Sequence, residues 1–185
     1  MRLLHAEGVA LVRGGRLLFD GLDLHLDAGE ALHVTGPNGS GKSSLIRLAA
    51  GLLRATSGRI ERGGRFALAD EHLALDRELP LGRALAFWNG GAEPKHALDT
   101  LELGDLCAVP VRLLSTGQAR RARLARVILA GAPLWLLDEP LNGLDAAGAE
   151  RLRRAINDHR ANGGSVLAAS HQPLGSDWRH LELGQ

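Results

Sequence analysis

Eight consecutive residues, Gly36-Pro37-Asn38-Gly39-Ser40-Gly41-Lys42-Ser43, constrain this chain more than any bulk property. The apolar run Ala31 to Thr35 leads straight into them and Lys42 to Leu52 is helical in pattern, so the order is strand, glycine loop, helix. Glycines at 36, 39 and 41 let successive backbone N–H groups converge on phosphate oxygens at the positive end of that helix. Lys42 then reaches toward β and γ phosphates, Ser43 offers a hydroxyl to Mg²⁺, and Ser44 completes the binding loop. A hairpin turn on Asn38-Gly39 is the competing reading, and the flanking strand and helix argue against it.

Other segments supply the frame. Leu22, Leu24 and Leu26 alternate with Asp23, His25 and Asp27, which predicts a half-buried strand in an antiparallel edge layer. Short apolar runs at 66–69, 133–137 and 165–169 predict buried strands, and Ser57-Gly58 predicts a turn leading out of the first helix. Helices at 118–130 and 146–161 between the later strands predict an α/β fold with a mainly parallel sheet covered on both faces. From Leu79 to Leu114 the spacing turns helical, broken by Asn89-Gly90-Gly91 and Pro94, which predicts a small helical lobe inserted into one domain spanning 1–185.

Composition excludes some functions. No run approaches the ~18 apolar residues of a membrane span. The opening Met-Arg-Leu-Leu-His-Ala-Glu-Gly is no secretory signal, so a cytoplasmic place is expected unless a partner holds the chain at a membrane. Cys107 stands alone, which suits a reducing compartment. A net charge of +1 gives no broad basic field, so nucleic acid is not an expected partner. Arg120, Arg121, Arg123 and Arg126 are read as the solvated face of a helix, because no aromatic residues interleave to stack bases.

Two later motifs carry charge. Asp138 closes an apolar strand, where a carboxylate is costly unless it faces a site at the sheet's carboxyl edge and holds Mg²⁺ there through water. Glu139 follows directly and can orient or polarise an attacking water, although an acidic pair at a helix start beside Pro140 is the plainer alternative. Leu114-Ser115-Thr116-Gly117-Gln118 begins a helix, with Ser115 or Thr116 as a candidate N-cap beside an anion-binding turn.

In order along the chain, the Gly36–Ser43 loop, Leu114–Gln118, Leu136-Leu137-Asp138-Glu139-Pro140 and His171 resemble the nucleotide-binding domains of ATP-binding cassette (ABC) machines, a branch of the P-loop NTPases. The resemblance implies ATP and Mg²⁺ as ligands and hydrolysis of ATP. It implies that Ser115, Gly117 and Gln118 contact the γ-phosphate held by a second copy, so that two subunits close head to tail as a homodimer. It also implies that His171 fixes the attacking water, that Asn142-Gly143-Leu144-Asp145 crosses the interface, and that Arg13 stands where an aromatic adenine platform is usual. The family's Gln after the second core strand is replaced here by Asp70-Glu71-His72, so His72 or Glu71 is the candidate to approach Mg²⁺ in its place.

Softer features extend the likeness over nearly the whole chain: Leu17-Leu18-Phe19, Phe87-Trp88, Leu134-Trp135 and His171-Gln172-Pro173-Leu174. They resemble the ATP-binding subunits of cytochrome c maturation haem exporters. That implies transmembrane partner subunits, a peripheral place on the cytoplasmic face of the membrane, and no direct contact with haem. The ATP motifs alone fit another ABC exporter or importer equally well, or a nucleotide-gated clamp in DNA repair or translation.

Overall fold

Two β layers of opposite character meet at the glycine loop. The computed structural model describes residues 1–184. Strands β1 (Arg2–Arg13) and β2 (Arg16–Asp27) form an antiparallel hairpin around Gly14-Gly15, both at positive φ, the backbone that a two-residue turn between right-twisted strands requires. Strand β3 (Ala31–Thr35) enters the core, the glycine loop follows, and helix α1 (Lys42–Ala49) buries Leu45, Ile46 and Leu48. Strand β4 (Ser57–Arg62) then pairs with β1 to give a three-stranded sheet ordered β2-β1-β4. The expected turn at Ser57-Gly58 is therefore the first residues of a strand, and α1 is a turn shorter than its apolar pattern suggested.

Strand β5 (Phe66–Ala69) returns to the core. Helices α2 (Leu81–Ala86) and α3 (Lys95–Thr100), with short 3₁₀ turns at Phe87–Asn89, Gly104–Leu106 and Val111–Leu113, fill the stretch read as a helical lobe. Helix α4 (Thr116–Leu129), strand β6 (Leu134–Asp138), helix α5 (Ala146–Ala161) and strand β7 (Ser165–Ala169) complete the alternation. A final strand, β8 (Arg179–Glu182), had no counterpart in the sequence reading.

The second sheet is ordered β5-β6-β7-β3-β8, with every pairing parallel. Its register aligns Ala69 with Leu137 and Asp138 with Ala169, so strands far apart in sequence end at one level. One apolar cluster joins β1, β2 and α1 to the sheet's first face, and another joins α2, α3, α4 and α5 to the second. The α/β class, the parallel core and the antiparallel layer are as the sequence predicted.

The arginine run is a correction. Arg123 and Arg126 are buried rather than solvated. Their guanidinium groups donate to the backbone carbonyls of Asp70 and Leu68 at the end of β5, and Arg126 also lies 4.7 Å from the centre of the Trp88 ring. Arg121 donates to the carbonyls of Leu101 and Glu102, at 3.1 and 3.3 Å. The run therefore fastens α4 to β5 and to the helices that precede it. A one-dimensional charge pattern misses this because free backbone carbonyls, the partners that make burial tolerable, have no sequence signature.

Candidate functional site

The carboxyl ends of β5, β6, β7 and β3 are adjacent, and Asp70-Glu71-His72, Asp138-Glu139, His171 and the glycine loop each sit at or just beyond one of them. Ligands of open α/β sheets gather at this edge because backbone N–H groups and helix starts converge there. An open cavity of about 420 Å³ lies at the glycine loop, lined by Arg13, Asn38, Lys42, Ser43, Ser44, Glu139 and His171 among others.

The loop is specified by contact as well as by torsion. At Gly36 φ is +137°, and a Cβ there would lie 2.3 Å from the Leu183 carbonyl oxygen, so only glycine fits between β3 and the chain leaving β8. Lys42 is buried, with its ammonium donating to the carbonyls of Gly36 at 2.8 Å and Pro37 at 3.1 Å. Neutral carbonyls satisfy its protons without cancelling its charge, which leaves a full positive charge at the cavity wall. Arg13 reaches from β1 to within 3.4 Å of the Ser44 hydroxyl, so the candidate base-stacking residue does stand at the cavity rim.

Two carboxylates follow at the end of β6, of which Glu139 lines the cavity and Asp138 meets Ser43 beside it. Asp138 accepts a 3.0 Å hydrogen bond from the Ser43 hydroxyl. Burial pushes its carboxyl above the ordinary range, Ser43 opposes that, and the neighbouring Glu139 charge adds to it. Glu139 has φ +47°, one of three non-glycine residues at positive φ among those described. Such backbone strain persists where surrounding contacts fix it; here the Glu139 N–H donates to the Ala169 carbonyl at 2.8 Å. Its side chain faces His171: the His171 backbone N–H lies 3.4 Å from Oε2 and the imidazole Nε2 3.4 Å from Oε1. The same Nε2 is 3.1 Å from Asn38 Oδ1, joining the loop after β7 to the glycine loop.

The remaining candidates lie elsewhere. Ser115 is the N-cap of α4 in a reciprocal capping box: its hydroxyl accepts from the Gln118 N–H at 3.3 Å, and Gln118 Oε1 accepts from the Ser115 N–H at 2.8 Å. Ser115, Gly117 and Gln118 line a separate cavity of about 230 Å³ together with Gly143, Leu144 and Asp145. Asp145 caps α5 by accepting from the Gly148 N–H at 2.7 Å. None of the three touches the Lys42 cavity.

Neither His72 nor Glu71 lines it either. His72 Nδ1 is 3.1 Å from Asp70 Oδ2, and Glu71 pairs with Arg47 of α1 at 2.7 Å. The Arg47–Glu71 pair, the Asn38–His171 contact and the twist at Glu139 were not foreseen. All three are tertiary contacts or torsions that local pattern does not encode.

Strand, glycine loop, strand-end carboxylates and capped helix together define an ATP-binding cassette. Residues 19–142 match the ABC transporter family, and the fold superposes on a solved ATP-binding subunit of an ABC transporter with a TM-score of 0.82. That superposition covers 91% of this chain and 79% of the other at 24% identity, a likeness of fold. The chain is 59% identical to the cytochrome c biogenesis ATP-binding export protein CcmA of Sphingopyxis alaskensis, over 93% of this chain and 91% of that protein. It is 56% identical to the protein of the same description from Novosphingobium aromaticivorans, over 91% and 88%. The chain belongs to the CcmA family of ABC ATP-binding proteins.

Proposed function

We propose that this chain is the ATP-hydrolysing subunit of an ABC export complex that serves haem delivery in cytochrome c biogenesis. The observation that carries the reading is the convergence of Lys42, Ser43, Glu139 and His171 on one cavity from three strand ends. Each group matches a need of phosphoryl transfer, in which positioning and charge stabilisation supply most of the catalysis.

On arrival of ATP, the Lys42 ammonium exchanges the Gly36 and Pro37 carbonyls for phosphate oxygens, an exchange of neutral for anionic acceptors that strengthens each hydrogen bond. Loop N–H groups and the start of α1 take the other oxygens. Glu139 accepts a proton from, or orients, the attacking water, and His171 shares that water from the opposite side. The 3.4 Å contacts of the Glu139 carboxylate with the His171 imidazole and backbone N–H leave room for a ligand to draw the two residues closer.

Mg²⁺ fits the residues present. Asp138 and the Ser43 hydroxyl are hard oxygen donors beside the cavity, and among the described residues the half-buried carboxylate has no ion-pair partner. Ser43 and Asp138 would hold the ion, which supplies positive charge to the β and γ phosphate oxygens. His72 is turned toward Asp70, so the metal proposal rests on Ser43 and Asp138.

That Ser115, Gly117 and Gln118 line a cavity of their own, and not the Lys42 cavity, supports the head-to-tail homodimer, in which a second copy's α4 would complete the phosphate site. We further propose one cassette with its helical lobe at 79–114, acting peripherally on membrane-embedded partner subunits, with no haem contact and no nucleic acid. No helix among the described residues is long and apolar enough to cross a membrane. Expression in a bacterium deleted for its own CcmA tests the reading. Restored cytochrome c assembly is expected from this chain and not from its Glu139→Gln variant; assembly restored by neither, with both proteins present at the membrane, refutes it.

A further inference from the structure

His33 is buried in the middle of β3, two residues before the glycine loop's own strand ends, and no motif includes it. Its Nε2 lies 2.9 Å from the carbonyl oxygen of Ser170. A carbonyl only accepts, so Nε2 carries the proton. The Ser170 carbonyl belongs to the same peptide plane as the His171 N–H, and that N–H points at Glu139 Oε2. One rigid plane is thus held at its oxygen by His33 and faces the proposed water-orienting carboxylate through its nitrogen.

The surroundings leave that plane little other freedom. The Ser170 N–H donates to the Val34 carbonyl at 3.2 Å, and the Ser170 hydroxyl accepts from the Gln172 N–H at 3.0 Å. The side chain that follows, His171, then meets both Asn38 and Glu139. Rotating the plane by tens of degrees would swing its N–H away from Glu139 and carry the imidazole off Asn38. Among the described residues His33 is the one side chain that grips the carbonyl; burial lowers its imidazole pKa, the Ser170 carbonyl opposes that, and Nε2–H donates to the carbonyl in either case. Its ring packs edge-on to Trp178 and against His180, and its Nδ1 has no hydrogen-bond partner among the described residues, so the Ser170 carbonyl is the polar contact that uses the imidazole here.

We infer that His33 is a positioning residue for ATP hydrolysis, setting through the Ser170–His171 peptide the relative placement of the His171 imidazole and the Glu139 carboxylate. This rests on the reading of Glu139 and His171 as the groups that orient water. His33 lines no part of the Lys42 cavity.

Three variants of the full chain, His33→Leu, His33→Gln and His171→Ala, test the inference, with kcat, KM for ATP, ATP affinity and melting temperature measured for each. His33→Leu removes the donor at similar volume. It is expected to lower kcat about tenfold, the size of one lost buried hydrogen bond, while affinity and KM for ATP stay within about twofold. His33→Gln returns an N–H donor of similar reach and is expected to recover most of kcat. In a His171→Ala background, His33→Leu is expected to add less than about twofold, because the two act as one unit. Normal kcat in His33→Leu, or a tenfold loss in His33→Gln, overturns the inference. So does a full additional tenfold loss in the His171→Ala background. Should His33→Leu yield no folded protein, His33→Gln decides alone: near-normal kcat supports the inference. If His171→Ala itself hydrolyses ATP normally, the reading of the site fails and the inference with it, whereas an impaired His171→Ala beside a normal His33→Leu overturns the inference only.

Discussion

At the Lys42 cavity the charged groups hold one another loosely, whereas the start of α4 satisfies its own hydrogen bonds. Lys42 rests on backbone carbonyls, Glu139 and His171 meet at 3.4 Å, and the half-buried Asp138 carboxylate has, among the described residues, only a hydroxyl partner where a cation would serve it better. Ser115 and Gln118, by contrast, close a reciprocal cap and line a cavity of their own. The contrast teaches which region waits for a ligand and which presents a finished surface. Unpaired charge gathered by several strand ends has a large free energy to gain from a polyanion. A capped helix start is stable without one, and offers its remaining N–H groups outward as a rigid face.

The largest expected effect falls on the chemistry of the first region. Glu139→Gln keeps size and shape but removes the charge, so turnover should fall by about 10²–10⁴-fold with ATP still bound; steady hydrolysis at the normal rate would remove Glu139 from the water-orienting role. Next, Lys42→Ala should weaken ATP affinity by about 100-fold, the loss of charged contacts to phosphate, and an unchanged fluorescence titration would show that the cavity is not the phosphate site.

The comparison itself is tested by mixing subunits. A Ser115→Arg chain supplies a sound Lys42 cavity, and a Lys42→Ala chain supplies a sound α4 start. A mixture of the two should hydrolyse ATP above either parent if the two regions come from opposite copies. Equal activity in the mixture and in its parents would mean that each copy completes its own site.

The smallest effect concerns Asp138. Its folded pKa is raised by burial, so the ionised form is disfavoured in the native state. Its contribution to stability is therefore fullest below the ordinary carboxylate pKa and is lost as pH rises through the raised value. In the absence of metal, Asp138→Asn should melt about 2–4 °C higher than the unaltered chain at neutral pH, a relief on the scale of one kcal/mol, and no higher near pH 3. Added Mg²⁺ should stabilise the unaltered chain at neutral pH and lose that effect on acidification. A variant that melts lower at neutral pH would contradict the assignment of strain to this carboxylate.

Legibility followed the physics of each element. β3, β6 and β7 were readable because strands buried on both faces are apolar along their length, and β5, with one face partly exposed at the sheet edge, because its four residues are all apolar. β4 and β8 were not: Ser57–Arg62 and Arg179–Glu182 are mostly exposed strands whose side chains look like any loop, and pairing with β1 and β3 is what makes them strands. Lys42, Ser43, Glu139 and His171 were legible through order and spacing, and the structure brings them to one cavity. Arg123 and Arg126 misled, since a guanidinium can be buried when nearby backbone carbonyls take its protons.

The sequence by itself determined a glycine loop between strand and helix, the strands of the parallel core, and the residue types able to bind and cleave a triphosphate. Local torsion, apolar periodicity and charge suffice for those, because each is a property of neighbours along the chain. Only the tertiary structure decided that Glu139 would sit at positive φ facing His171, that Glu71 would turn to Arg47 and His72 to Asp70, and that His33 would grip the peptide before His171. Those outcomes depend on strand order and register, which bring together residues as far apart as 33 and 170, and parallel pairing across such separations leaves no mark in any short window of sequence.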